Sequence, residues 1–99
     1  MSAYIIAEVE VTDPDTYATY RAQTPAVVER YGGRFIVRGG AAETLEGEGA
    51  PGRLVVLEFP DPAAARRFYD SPEYQAIVGI RHRAATSRVV LVEGHAPGG

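Results

Sequence analysis

The 99-residue sequence predicts an α+β fold of order β-α-β-β-α-β. Segments of period-two apolar alternation are interleaved with segments of helical spacing. The two halves of the chain also repeat one helix-start device, Glu10-Val-Thr-Asp13-Pro14 and Glu58-Phe-Pro-Asp61-Pro62. Tyr20 and Phe68 each stand seven residues after the capping aspartate, on the apolar stripe. A duplicated βαβ unit of this kind is the pattern of the ferredoxin-like split βαβ fold, in which four antiparallel strands carry the helices on one face.

Each element has its own justification. In Ala3–Val11, Ile5, Ala7, Val9 and Val11 fall on one strand face, and Tyr4, Ile6, Glu8 and Glu10 on the other. Asp13 then caps a helix whose first position is Pro14, where a missing N–H costs nothing. Tyr17, Tyr20, Thr24, Val27 or Val28, and Tyr31 mark its buried stripe, and Pro25 predicts a kink or a restarted turn. Gly32-Gly33 ends this helix by supplying a left-handed residue. Arg34–Arg38 reads as a second strand, followed by a short extended stretch around Glu43–Glu46 and a turn-rich loop, Gly47–Gly52. Arg53–Phe59 is apolar almost throughout and reads as a central strand. Asp61-Pro62 starts the second helix and Ser71-Pro72 a third helical piece, to about Arg83. Thr86–Glu93 is the last strand. One domain over residues 1–95 and a flexible tail, 96–99, are expected.

Composition narrows the function. The chain is 45% hydrophobic and 23% charged, with a net charge of −3, values of a globular domain rather than a disordered one. Cysteine is absent, which removes disulfides, thiolate metal sites and a Cys nucleophile. All ten basic residues are arginine, so Schiff-base lysine chemistry is excluded. A pI near 5.3 argues against nucleic-acid binding. No apolar run approaches the roughly 18 residues of a membrane span, and no signal-peptide start is seen, so a cytoplasmic protein without membrane contact is expected.

Tyr31–Gly40, Leu57-Glu-Phe59, Ser71–Gln75, Arg81 and Val92-Glu-Gly94, together with the Asp-Pro helix start, resemble a small bacterial domain family of unknown function, DUF1330. That family lies within the dimeric α/β-barrel superfamily. The resemblance implies a ferredoxin-like protomer and a homodimer whose sheets join face to face. Tyr4, Ile6, Ile36 and either Val55 or Val56 form a half-apolar sheet face that such a partner would cover. No function follows from the resemblance. The superfamily includes cofactor-free monooxygenases, haem-binding enzymes, muconolactone-isomerase-like enzymes, stress proteins and ligand-sensing domains, so fold does not name chemistry. Its ligand sites lie between helices and sheet, where Tyr4, Tyr17, Tyr20 and Tyr69 are expected to form a ring.

The candidate site residues divide into two groups. Arg38 and Glu58 are charges within apolar strands; Arg38 set between Glu58 and Glu8 or Glu10 would orient an anionic ligand, or the set is a structural ion pair fixing sheet or dimer register. Tyr69, Tyr74, Arg81 and His82 gather on the later helices. Tyr74, Ile77, Val78 and Arg81 share one helix face, so Tyr74 lines a pocket with Arg81 at its mouth, or the stripe is simply core. His82 and Tyr69 are the candidate acid–base groups, although Arg81 and Arg83 flank His82 and disfavour its protonation. Ser71 reads as a cap, and the paired glycines as turn chemistry. No metal and no cofactor are expected. Two functions remain: a small-molecule binder, extending to a cofactor-free enzyme, or a non-catalytic dimerisation domain. A cavity of about 300 Å³ separates them.

Overall fold

A computed structural model describes residues 1–96, so the expected tail beyond Ala96 lies outside the described residues. Its elements are β1 (Ala3–Val11), α1 (Pro14–Arg30), β2 (Arg34–Arg38), β3 (Arg53–Phe59), α2 (Pro62–Asp70), α3 (Pro72–Ala84) and β4 (Ala85–Glu93). The α+β ferredoxin-like order of the sequence reading is present, with the second helical region divided into α2 and α3.

The helices begin where short polar side chains supply acceptors to otherwise unpaired N–H groups. Asp13 accepts from the Thr16 N–H at 3.2 Å, Asp61 from Ala64 at 2.7 Å and Ser71 from Tyr74 at 3.0 Å. A proline occupies the first turn after each cap. Hydrogen bonds from Thr16 hold the Asp13 carboxyl below its usual range. α1 closes with Gly32 at φ 81°; the Gly32 N–H reaches the Glu29 carbonyl and the Gly33 N–H that of Val28, a Schellman motif. Gly33 is packed against the Phe59 ring so closely that a Cβ would overlap it.

One local expectation, a restarted turn at Pro25, is corrected. Pro25 does not interrupt α1, which runs unbroken from Pro14 to Arg30. The proline removes only one intrahelical hydrogen bond, at the Arg21 carbonyl, and side chains replace it. The stretch around Glu43–Glu46 does not join the sheet. Its neighbours Gly47 and Gly49 both adopt positive φ, and the Thr44 hydroxyl donates to the Gly49 carbonyl, closing a local loop instead.

The sheet is antiparallel in the order β2-β3-β1-β4. β1 is central and fixes the alternation. Ile5 stands between Leu57 and Leu91, and Ala7 between Val55 and Val89; these residues face the helices. Tyr4 stands between Glu58 and Val92, and Ile6 between Val56 and Val90; these face away. Val56, not Val55, therefore belongs to the open face. Ile6, Val90 and Val92 there remain about 40% exposed. β2 carries an irregularity between Phe35 and Val37: Arg34 is opposite Glu58 and Phe35 opposite Leu57, but Val37 is opposite Val56 and Arg38 opposite Val55.

The core lies between the sheet and the helices. Phe68, 2% exposed, has its ring centroid 5.2 Å from that of Phe59 and 4.6 Å from that of Tyr74, joining α2 to the sheet and to α3. Phe68→Ala is expected to lower unfolding free energy by about 3–5 kcal/mol, as read from urea denaturation.

Candidate functional site

A cavity opens between the three helices and the helix-facing side of the sheet. Its walls are apolar: Ile5, Ala7, Val55, Leu57, Phe68 and Val89 contribute to them. All four charged side chains lining it are arginines, namely Arg21, Arg38, Arg53 and Arg81, and no carboxylate is among them. Its free volume is about 50 Å³, room for a few ordered waters.

Arg81, 4% exposed, comes from the last turn of α3. Its guanidinium donates to the Ser87 hydroxyl and lies 5.9 Å from the centre of the Tyr20 ring. The Tyr20 and Tyr74 hydroxyls are 2.7 Å apart. Burial raises the Tyr20 hydroxyl far above the ordinary phenol value of 10.0, and the neighbouring Tyr74 adds to this. Burial also opposes the charge on Arg81, but Tyr74 and Tyr20 outweigh it and raise its pKa. At neutral pH this part of the cavity therefore holds the Arg81 cation beside a neutral Tyr20 phenol. Its position near the C-terminus of α3 further favours the Arg81 charge.

On the cavity wall formed with β2, Arg38 donates from Nη2 to the Arg21 carbonyl at 2.7 Å, and its guanidinium lies 4.4 Å from the Phe35 ring centroid. The Arg53 guanidinium stands 5.8 Å from the Tyr17 ring centroid and leaves its buried Nε without a hydrogen-bond partner among the described residues. It also packs against Gly39, whose φ is 69°, where any side chain would collide with it. None of the four cavity arginines joins an ion pair among the described residues.

The structure brings together Arg38, Arg81, Tyr69 and Tyr74 and separates them from two other sequence candidates. Glu58 lies on the open face, where Arg34 Nη2 approaches it at 2.6 Å and the Tyr4 hydroxyl donates at 3.3 Å. The Arg34 hydrogen bond, with help from Tyr4, holds its carboxyl below the usual range. The supposed Arg38–Glu58 set is thus corrected: the β2 irregularity turns Arg38 toward the helices, whereas Glu8, Glu10 and Glu58 keep to the open face. Tyr4 leaves the expected tyrosine ring for the same reason. His82 is exposed and lines a shallow surface depression beside Tyr69 and Ser87, outside the cavity.

Sequence reasoning missed Arg53 and Arg21. Arg53 had a signal, since alternation along β3 places it on the face of Val55 and Leu57. Arg21 had none, because it follows the buried Tyr20 and is itself exposed. Among the described residues no group of three or more His, Cys, Asp or Glu is arranged to hold a metal ion.

The element order and sheet topology define a ferredoxin-like α+β protomer. The chain belongs to the family described as Domain of unknown function (DUF1330), whose model matches residues 2–95. No curated protein matches it. Among solved structures, it is similar to a protein of unknown function from Rhodopseudomonas palustris, at 23% identity and TM-score 0.77, covering 97% of this chain and 84% of that one. A dimeric ferredoxin-like protein of unknown function from Jannaschia sp. CCS1 has 18% identity and TM-score 0.71, over 95% and 100% of the two chains. SnoaB, a cofactor-independent oxygenase from Streptomyces nogalater, has 19% identity and TM-score 0.62, over 96% and 94%. At these identities the likeness is one of fold.

The raised Tyr20 pKa has a measurable consequence. Neutral Tyr20 contributes stability that is complete below pH 10 and is lost as pH rises toward its folded pKa. In an ultraviolet titration of the folded protein, Tyr20→Phe should leave the phenolate signal near pH 10 unchanged.

Proposed function

We propose that the protein is a homodimer, joined through its open sheet faces, that binds a small anionic molecule with an apolar or aromatic body. The molecule occupies the cavity between helices and sheet. What carries this reading is the lining itself: four arginines, no carboxylate and apolar walls. Of the four, Arg81 is buried and has no protein counter-ion among the described residues, a costly arrangement that attracts an external anion. Arg81 takes the anionic group, the hydrogen-bonded Tyr20–Tyr74 pair offers it one free hydroxyl proton, and Arg38 acts nearer the rim. Tyr69 borders both the cavity and the depression holding His82, the two acid–base candidates. A cofactor-free enzyme is an extension of the same reading, with Arg81 and the phenols stabilising an oxyanion developing on the bound molecule.

The homodimer is supported by the row of exposed apolar residues on the open face and by the description of the Jannaschia protein as dimeric. In that arrangement the Arg34–Glu58–Tyr4 set fixes the register of the facing sheets and has no ligand role. A second reading, a dimerisation domain without a ligand, is favoured by the cavity's free volume of about 50 Å³, far below the roughly 300 Å³ of ordinary ligand pockets.

Titration calorimetry with benzoate, phenylacetate and aliphatic carboxylates separates the two. The binding reading expects saturable binding that Arg81→Gln weakens at least roughly tenfold, the loss of a charge-assisted contact. Arg66→Gln, at the exposed Arg66–Asp70 pair, should leave it unchanged. No binding across the panel would establish the second reading. For the dimer, sedimentation equilibrium should give twice 10.6 kDa for the wild type and a single chain for Val90→Asp.

A further inference from the structure

Pro25 lies well inside α1 and has no N–H, so the Arg21 carbonyl four residues earlier receives no helical hydrogen bond. Two side chains use this acceptor. The Thr24 hydroxyl donates at 3.2 Å, from the next turn of the same helix, and Arg38 Nη2 donates at 2.7 Å, from β2. The Arg38 guanidinium also stacks over Phe35, 4.4 Å from its centroid. Arg21, Phe35 and Arg38 all line the cavity. One nitrogen is thus tied to a carbonyl and one face to a ring. The remaining N–H groups of the guanidinium have no partner among the described residues.

We propose that Pro25 is a positioning residue. By leaving the Arg21 carbonyl unfilled, it holds Arg38 at the rim of the cavity with a free edge for an incoming carboxylate. The ligand half of this inference rests on the cavity being an anion site; the latch between α1 and β2 does not. An ordinary residue at position 25 would direct its own N–H to the Arg21 carbonyl and compete with Arg38. The helix would gain a hydrogen bond while the site lost its orientation, an opposition that a merely structural role for Pro25 does not produce.

The test compares wild type, Pro25→Ala, Arg38→Ala and the double variant, with Pro25→Ser as a second N–H-bearing substitution should the alanine variant fail to fold. Nitrogen-15 NMR of the arginine side chains is expected to show slow guanidinium rotation for Arg38 in the wild type and averaged rotation in Pro25→Ala. Tm should be unchanged or higher in Pro25→Ala. Benzoate affinity should fall roughly three- to tenfold in Pro25→Ala, and the double variant should bind no more weakly than Arg38→Ala alone. Unaltered slow rotation of Arg38 in Pro25→Ala overturns the latch, whatever the affinities. Additive losses in the double variant overturn the coupling of Pro25 to the ligand through Arg38. Failure of the wild type to bind benzoate or any carboxylate of the panel overturns the anion site and the ligand half of the proposal, while the NMR comparison still decides the latch.

Discussion

β1 pairs along nearly its whole length with β3 on one side and β4 on the other, and that double register decides which face every strand residue occupies. Side-chain direction in a strand has a period of two, so a one-residue slip would exchange the faces completely. Ile5 and Ala7 would move into the open and Glu8 into the core, at a cost of several kcal/mol for the buried carboxylate alone. The large apolar residues facing the helices, Leu57 and Phe59 above all, hold this register in place. The cavity and the open face are two consequences of one pairing.

Within that sheet, β2 breaks the rule at a single point, and the break carries the chemistry. Without the irregularity near Ile36, Arg34 and Arg38 would share a face by their spacing of four. With it, Arg34 pairs with Glu58 on the open side and Arg38 joins Arg81 and Arg53 on the cavity side. Charges are thereby separated: the acids of β1 and β3 remain on the open face, and four of the arginines line the cavity, where no acid does. Neutral hydrogen-bond partners hold two of these arginines, the Ser87 hydroxyl the buried Arg81 and the Arg21 carbonyl the exposed Arg38. Aromatic faces do the rest, since a guanidinium is weakly hydrated and stacks readily on a ring.

The architecture was legible because its signals are local. Asp13-Pro14, Asp61-Pro62 and Ser71-Pro72 start helices through contacts three residues away, and Gly32-Gly33 ends one through contacts within a single turn. Such devices need no knowledge of the rest of the molecule. The helix stripes were similarly open to reading, and Tyr17, Tyr20 and Tyr74 are buried on the sides their spacing indicates. The restarted turn expected at Pro25 is absent because the local rule counts the missing hydrogen bond and is blind to Arg38, a donor seventeen residues from the Arg21 carbonyl. In the sequence Arg38 and Glu58 invite pairing because both are charges in apolar strands. Strand alternation cannot be carried through a bulge whose presence depends on the neighbouring strand.

By itself, then, the sequence determined the α+β order, the helix boundaries, the apolar stripes and the restriction of any polar chemistry to arginine, tyrosine, histidine and carboxylates. These depend on composition and on interactions spanning at most a turn. The tertiary structure alone decided which arginines meet, that Glu58 and Tyr4 stand apart from them, and that His82 stays outside the cavity. Those outcomes depend on strand register and on packing between residues distant in the chain, where a displacement of one position reverses the direction in which a side chain points.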